Sequence, residues 1–150
     1  FMQSTFRIIS GLYGLIKPLD LIQPYRLEMG TKLSFDDNNN LYDYWKEKIT
    51  NQLNSELSEN EPVLNLASNE YFKAIDSKVI KSDVYSANFK QFKDGTYKNI
   101  AIFSKKARGM MTRYITENNI TDISLLKSFD YDGYIYHEDL SSEKELIFTR

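Results

Sequence analysis

The residues best suited to chemistry in this chain lie in one short run, Ser104-Lys105-Lys106-Ala107-Arg108-Gly109-Met110-Met111-Thr112-Arg113-Tyr114. At the helical rotation of about 100° per residue, Ala107, Met110, Met111, Tyr114 and Ile115 share one face. Lys105, Lys106, Arg108 and Arg113 fall on the opposite half, and no acidic residue lies between Ile100 and Thr116 to neutralise them. The reading places Ser104 at a strand-to-helix junction and the two lysines in the first helical turn. That end already carries partial positive charge and free backbone N–H groups, so cations there are mildly unfavourable. An anion such as phosphate at the helix start reverses the balance, and Gly109 leaves a gap where a phosphate or backbone approaches closely. The alternative is a solvated helix face with Gly109 packed against a neighbour. A membrane-surface helix fits less well, because the Met- and Tyr-rich face suits an ordinary core.

The second candidate is the stretch from Ser10 to Lys32. It opens on Ser10-Gly11-Leu12-Tyr13-Gly14, is punctuated by Pro18 and Pro24, and carries Asp20, Tyr25 and Glu28. Two glycines around Leu-Tyr predict a tight turn, and a long irregular loop rich in Tyr, Arg and Glu is often functional. Its bases, Lys17, Arg26 and Lys32 with the preceding Arg7, face only Asp20 and Glu28. Either those two acids pair with the bases and lock the loop, or the loop holds a ligand. His137 follows the alternating Tyr134-Ile135-Tyr136 and reads as a surface or strand-edge residue. Asp130 and Asp132 have the spacing for acid–base work, but beside Gly133 they more simply form a turn. Trp45 and the Met110-Met111 pair read as core. No catalytic residue is assigned.

Composition narrows the classes. The chain has 150 residues, 41% hydrophobic and 27% charged, with net charge -2. That is enough apolar residue for a core and argues against disorder. Because the net charge is negative, any affinity for nucleic acid must come from how charge is distributed. With no cysteine and one histidine, thiolate chemistry, disulfides and multi-histidine metal sites are excluded, and a reducing cytosol suits the composition. No apolar run is long enough to span a membrane, and the start at Phe1 to Thr5 lacks the basic-then-apolar pattern of a signal peptide. Eleven Tyr and nine Phe fit half-buried strand positions, where the ring packs and the hydroxyl stays wet, or else a base-stacking surface.

These residues need positioning elements. Phe6 to Ile9 reads as a short buried strand pairing inside the sheet. Leu41, Trp45, Ile49, Leu53 and Leu57 recur every four residues, which predicts a helix capped by Asn39 or Asn40. Val63 to Ala67 reads as a buried strand, Ser68 as a cap, and Glu70 to Ile75 as a short helix. Val84 to Phe92 and Tyr97 to Phe103 read as a hairpin about Asp94-Gly95. A helix from Ser104 to about Asn118 follows, then a capped helix over Thr121 to Ser128. Gly133 to Tyr136 and Leu146 to Thr149 close the chain as paired strands. With no repeat or linker, this predicts one α/β or α+β unit over residues 1–150, a mixed β-sheet with flanking helices.

The same segments carry a resemblance. Ser10-Gly11-Leu12-Tyr13-Gly14, Pro18-Leu19-Asp20 and Gln23-Pro24-Tyr25-Arg26-Leu27-Glu28-Met29-Gly30 are similar to the signature run of the YaaA family. Asn65-Leu66-Ala67-Ser68-Asn69-Glu70-Tyr71-Phe72 resembles its second motif, and Lys105-Lys106-Ala107-Arg108-Gly109-Met110-Met111 its third. The tail from Gly133-Tyr134 through Leu146-Ile147-Phe148 matches in order and spacing, so essentially the whole chain is covered. The resemblance implies a YaaA-like mixed α/β fold with a positively charged cleft, here as the C-terminal portion of the domain with the N-terminal part missing. Apolar surface is then expected to be bare where that part packs. It also implies DNA binding and protection from peroxide in the cytoplasm by limiting unincorporated iron and the damage it drives. No cofactor, metal ligand set or membrane partner is expected from these residues.

Together the readings place nucleic-acid contacts at Lys105, Lys106, Arg108 and Arg113, with Lys17 and Arg26 from the first loop. The alternative is an enzyme acting on a nucleotide or nucleobase, its phosphate at the Ser104 helix start, with polar groups from Tyr13, Asp20, Tyr25 and Glu28.

Overall fold

Apolar residues at helical and strand periods become eleven regular elements in a computed structural model that describes all residues, 1–150. In chain order they are α1 (Met2–Thr5), β1 (Ile8–Ser10), β2 (Gly14–Ile16), α2 (Leu41–Glu56), β3 (Val63–Asn65), α3 (Asn69–Phe72), β4 (Val84–Lys93), β5 (Thr96–Lys98), α4 (Ala101–Glu117), β6 (Ile135–Tyr136) and β7 (Glu145–Thr149). Short 3-10 turns at Ile123–Ser128, Tyr131–Gly133 and Glu138–Leu140 fill the stretch between α4 and β7. Two compact units result, Phe1–Glu61 with Ala67–Ser82, and Pro62–Leu66 with Asp83–Arg150. None of the helices is long and apolar enough to cross a membrane.

The first unit is organised by α2. Asn40 caps it through its side-chain oxygen, which accepts from the Asp43 N–H at 3.0 Å, satisfying one of the helix's orphan donors. The period-four face buries Leu41, Ile49 and Leu53 with Leu15, Met29, Ala74 and Ile75. Trp45, from the same face, reaches the β1–β2 turn, where its indole N–H donates to the Gly11 carbonyl at 2.9 Å. The two glycines of that turn are required. Gly14 has φ +74° and a Cβ there would stand 2.5 Å from the Trp45 ring, while a Cβ on Gly11 would stand 2.4 Å from the Leu27 carbonyl oxygen. The strand expected at Phe6 to Ile9 is displaced to Ile8–Ser10. It pairs only with β2, as an antiparallel ribbon apart from the main sheet, and Ile8 is exposed. Ser10, not Ile8, is the buried end, because its hydroxyl is consumed by the turn.

The second unit is built on a five-stranded sheet ordered β3-β4-β7-β6 with β5 attached to β4. β3–β4 and β4–β7 are parallel and β6–β7 is antiparallel, so the sheet is mixed, as the sequence predicts. Phe89 and Phe148 stack at 5.3 Å on adjacent strands. Phe129 and Tyr134 close on Phe89 edge-on at 5.9 Å and 5.3 Å. Asp94 and Gly95 turn the hairpin at φ +53° and +79°, the left-handed pair that a two-residue strand turn demands.

Boundaries move for physical reasons. β5 ends at Lys98, and Ala101 to Phe103, expected as strand, open α4 behind the extended N-cap Ile100. Ser68 caps α3 as expected, but that helix spans Asn69–Phe72 instead of reaching Ile75. β3 stops at Asn65. The helix expected over Thr121 to Ser128 is a 3-10 segment capped by Asp122. β6 begins only at Ile135, since Asp132 and Gly133 take positive φ and break the extended run.

Candidate nucleic-acid interface

α4 buries Ala107, Met111 and Ile115, with Met110 and Tyr114 half-buried beside them. Tyr114 packs edge-on against Phe129 at 5.5 Å. That anchors the helix by the face the sequence predicts and turns the cations outward. Lys105, Lys106 and Arg113 are exposed, and Arg108 is half-buried. Gly109 has open space where its side chain would be, which excludes packing against a neighbour as its reason.

The helix starts one turn earlier than expected. Its first residue is Ala101 and its N-cap is Ile100, with no side-chain cap and no acid in the first turn. Ser104 is therefore inside the helix. Its N–H bonds the Ile100 carbonyl at 2.9 Å and its hydroxyl donates to the Phe89 carbonyl at 3.1 Å. A phosphate seat at Ser104 is thereby overturned, and Lys105 and Lys106 sit in the second turn.

The four cations differ in what holds them. Lys105 has no ion pair. Lys106 reaches Asp132 at 3.3 Å, a carboxylate it shares with Arg150. The Lys106 hydrogen bond, against some burial, holds that carboxyl below its usual range. Arg113 bonds Glu117 at 2.7 Å, one turn on, and Tyr131 donates to the same carboxylate at 2.8 Å. An exposed pair of this kind contributes little and is open to exchange. Arg108 is the outlier. Its Nε donates to the Ser104 carbonyl at 3.3 Å and no carboxylate meets it. Burial alone pushes this guanidinium down from its ordinary value. A half-buried cation without a counter-charge pays desolvation without Coulombic return, and an anion would supply that return.

In the first unit, the loop after β1 is tied by its own residues. The Ser10 and Tyr25 hydroxyls are 2.6 Å apart, and Ser10 Oγ accepts from the Leu12 and Tyr13 N–H groups. The Gln23 N–H donates to the Tyr13 hydroxyl at 3.1 Å, and the Tyr13 and Tyr25 rings meet edge-on at 5.5 Å. Glu70, in the first turn of α3, also accepts from the Gly30 N–H at 2.8 Å. Tyr71 is raised by burial first and then by the charges of Glu70, Tyr25 and Glu28. The first and second motifs thus meet within one unit. Sequence spacing gave no sign of that, because the partners lie 40 positions apart.

Locking by Asp20 and Glu28 does not occur. Asp20 accepts from the Lys17 backbone N–H at 2.8 Å, and neither acid forms an ion pair. The bases are held from α2 instead, with Arg7 at 2.5 Å and Lys17 at 3.3 Å from Glu56. Arg26 is exposed and unpaired. Burial raises the Glu56 carboxyl, but hydrogen bonds from Gln52, Arg7 and Lys17 and the Arg7 charge outweigh it, leaving it lowered. A depressed folded pKa contributes stability above the unfolded value and loses it as pH falls through the folded one. Glu56→Gln is therefore expected to lose about 1–3 kcal/mol at neutral pH. That deficit should shrink on acidification below the normal glutamate range, as read by urea unfolding at several pH values. A deficit independent of pH would mean that the carboxylate charge is not what holds Arg7.

Comparison with known proteins follows the same segments. The family profile described as "Peroxide stress protein YaaA" matches residues 1–140. A UPF0246 protein of Flavobacterium johnsoniae is 52% identical over 149 residues, covering 99% of this chain and 59% of that protein. One from Saccharophagus degradans is 51% identical, covering 100% and 59%, and one from Acaryochloris marina is 51% identical, covering 100% and 60%. The chain thus spans about three-fifths of the length of the curated relatives it matches.

Proposed function

Because the chain belongs to the peroxide stress protein YaaA family, we propose that it serves resistance to peroxide by binding the phosphate backbone of DNA in the cytoplasm through α4. The observation that carries this reading is Arg108, a half-buried guanidinium whose only partner is a backbone carbonyl. Lys105 stands free one turn before it, and Lys106 and Arg113 exchange exposed carboxylates for phosphates when the strand arrives. Phosphate binding needs no base recognition, so the reading is of a sequence-tolerant binder. Arg26 in the first unit is a separate unpaired cation, and Lys17, held by Glu56, contributes less. Damage driven by unincorporated iron is limited, on this reading, where the nucleic acid is covered.

The net charge of -2 makes the electrostatics local, and the salt dependence tests them. Anisotropy of a labelled duplex should show log K falling with log salt at about -0.9 per phosphate contacted, giving a slope of about -2 to -4 for this set of cations. No binding near 50 mM salt, or a flat dependence up to about 200 mM, would overturn the reading.

A further inference from the structure

Pro18 and Pro24 fix the backbone at two points of the segment after β2, and hydrogen bonds hold it between them. The Lys17 N–H donates to the Asp20 carboxylate at 2.8 Å, and the Asp20 N–H donates back to the Lys17 carbonyl at 3.1 Å. The Leu19 N–H donates to the side-chain oxygen of Gln3 in α1 at 2.8 Å, and the Gln23 N–H donates to the Tyr13 hydroxyl at 3.1 Å. The segment is thus anchored on both sides of Leu21. Its apolar side chains nevertheless stay outside the unit that anchors it. Leu21 is 100% exposed, Leu19 75% and Ile22 46%. A single exposed leucine is ordinary, but three large aliphatic side chains within four consecutive positions, on a backbone held by its neighbours, make a preformed apolar knob. Met2 of α1 and Leu12 of the β1–β2 turn, 40% and 46% exposed, stand beside its two anchors.

We propose that this knob is an internal docking surface, seated in the part of the family chain that lies outside residues 1–150. The relatives supply the length, since each carries about two-fifths of its chain outside the matched span. The fold supplies the point of entry. α1 is a single turn, Met2–Thr5, so chain joined ahead of Phe1 emerges within a turn of Gln3 and hence beside Leu19. Charge and side-chain type set other occupants aside. Leucine and isoleucine offer no π-face to a base. Lys17 is held with Arg7 by Glu56, and Asp20 adds a negative charge, so residues 17–23 offer no unpaired cation to a phosphate or to an anionic lipid surface. An apolar protein pocket needs no such charge, and a backbone already fixed loses little entropy on seating. The inference stands apart from the phosphate-binding reading, which concerns α4 in the second unit.

The test is the reactivity of a thiol at the tip. This chain has no cysteine, and Leu21→Cys gives it one. Maleimide labelling at that position is followed by peptide mass spectrometry, natively and in urea, in this chain alone and in a full-length family chain that carries the same span. In this chain alone the native rate should stay within about threefold of the rate in urea, and in the full-length chain it should fall about thirtyfold or more below it. Leu21→Asp should lower the thermal midpoint of the full-length chain by about 5 °C or more and move that of this chain alone by less than about 1 °C. If Leu21→Asp keeps the full-length chain from folding, the thiol decides. Labelling of the full-length chain as fast as in urea overturns the proposal. Protection in this chain alone that grows with protein concentration also overturns it, by making the occupant a second copy. Protection that appears only with phosphatidylcholine vesicles overturns it in favour of a lipid surface.

Discussion

Replacing Lys105 and Lys106 together with Ala is expected to weaken duplex binding about tenfold near 100 mM salt and to flatten the salt slope by about two. The loss should be the same for unrelated sequences, since phosphate contacts carry no sequence information. Arg108→Ala is expected to act in the same direction although it removes one charge instead of two. Its guanidinium is the partly desolvated one, with no carboxylate to release. Arg113→Ala should cost less, because Arg113 must first give up Glu117. Arg108→Lys separates charge from geometry. A bidentate phosphate contact is lost with lysine, whereas a point-charge contact is kept. Unchanged slope and affinity in the double lysine variant would make α4 a solvated face.

Phe89→Ala is expected to remove about 3–5 kcal/mol of stability, the usual cost of emptying a buried aromatic site. Phe89 is 1% exposed and touches Phe129, Tyr134 and Phe148, three rings from three different segments of the second unit. Its carbonyl also accepts the Ser104 hydroxyl, so the residue that centres the core also fixes α4. Against the 5–15 kcal/mol typical of whole domains, that is a large fraction. Urea unfolding followed by near-ultraviolet circular dichroism, which sees these rings, is the measurement. A loss below about 1 kcal/mol would mean that the cluster refills the cavity and is not the keystone described.

What the sequence made legible, and what it did not, follows from the range of the forces involved. α2 was readable to its cap because Leu41, Trp45, Ile49 and Leu53 repeat locally and Asn40 bonds three residues on. The Asp94-Gly95 turn and the Ser68 cap are likewise settled within four residues. The start of α4 was not readable. Ile100, Ala101, Ile102 and Phe103 form an apolar run with no capping side chain, and periodicity does not separate a short buried strand from the first turn of a helix. That is why Ser104 reads as the helix start from sequence and yet lies inside the helix in the structure. The cations of the stripe were visible, but their partners were not. Asp132 lies 26 positions from Lys106, and Glu56 lies 49 from Arg7. The isolation of Arg108 is a fact of packing alone. The family resemblance was carried by whole motifs, which is why it survived boundaries shifted by several residues.

The central claim, that α4 is the nucleic-acid surface, is tested most directly by amide chemical-shift mapping of the labelled chain titrated with a short DNA duplex. The account predicts that the largest shifts fall on residues 101–113, with Arg108 and its side-chain Nε foremost, and that about 200 mM added salt reverses them. Shifts confined to the loop between Ser10 and Lys32, with α4 unmoved at saturation, would contradict it.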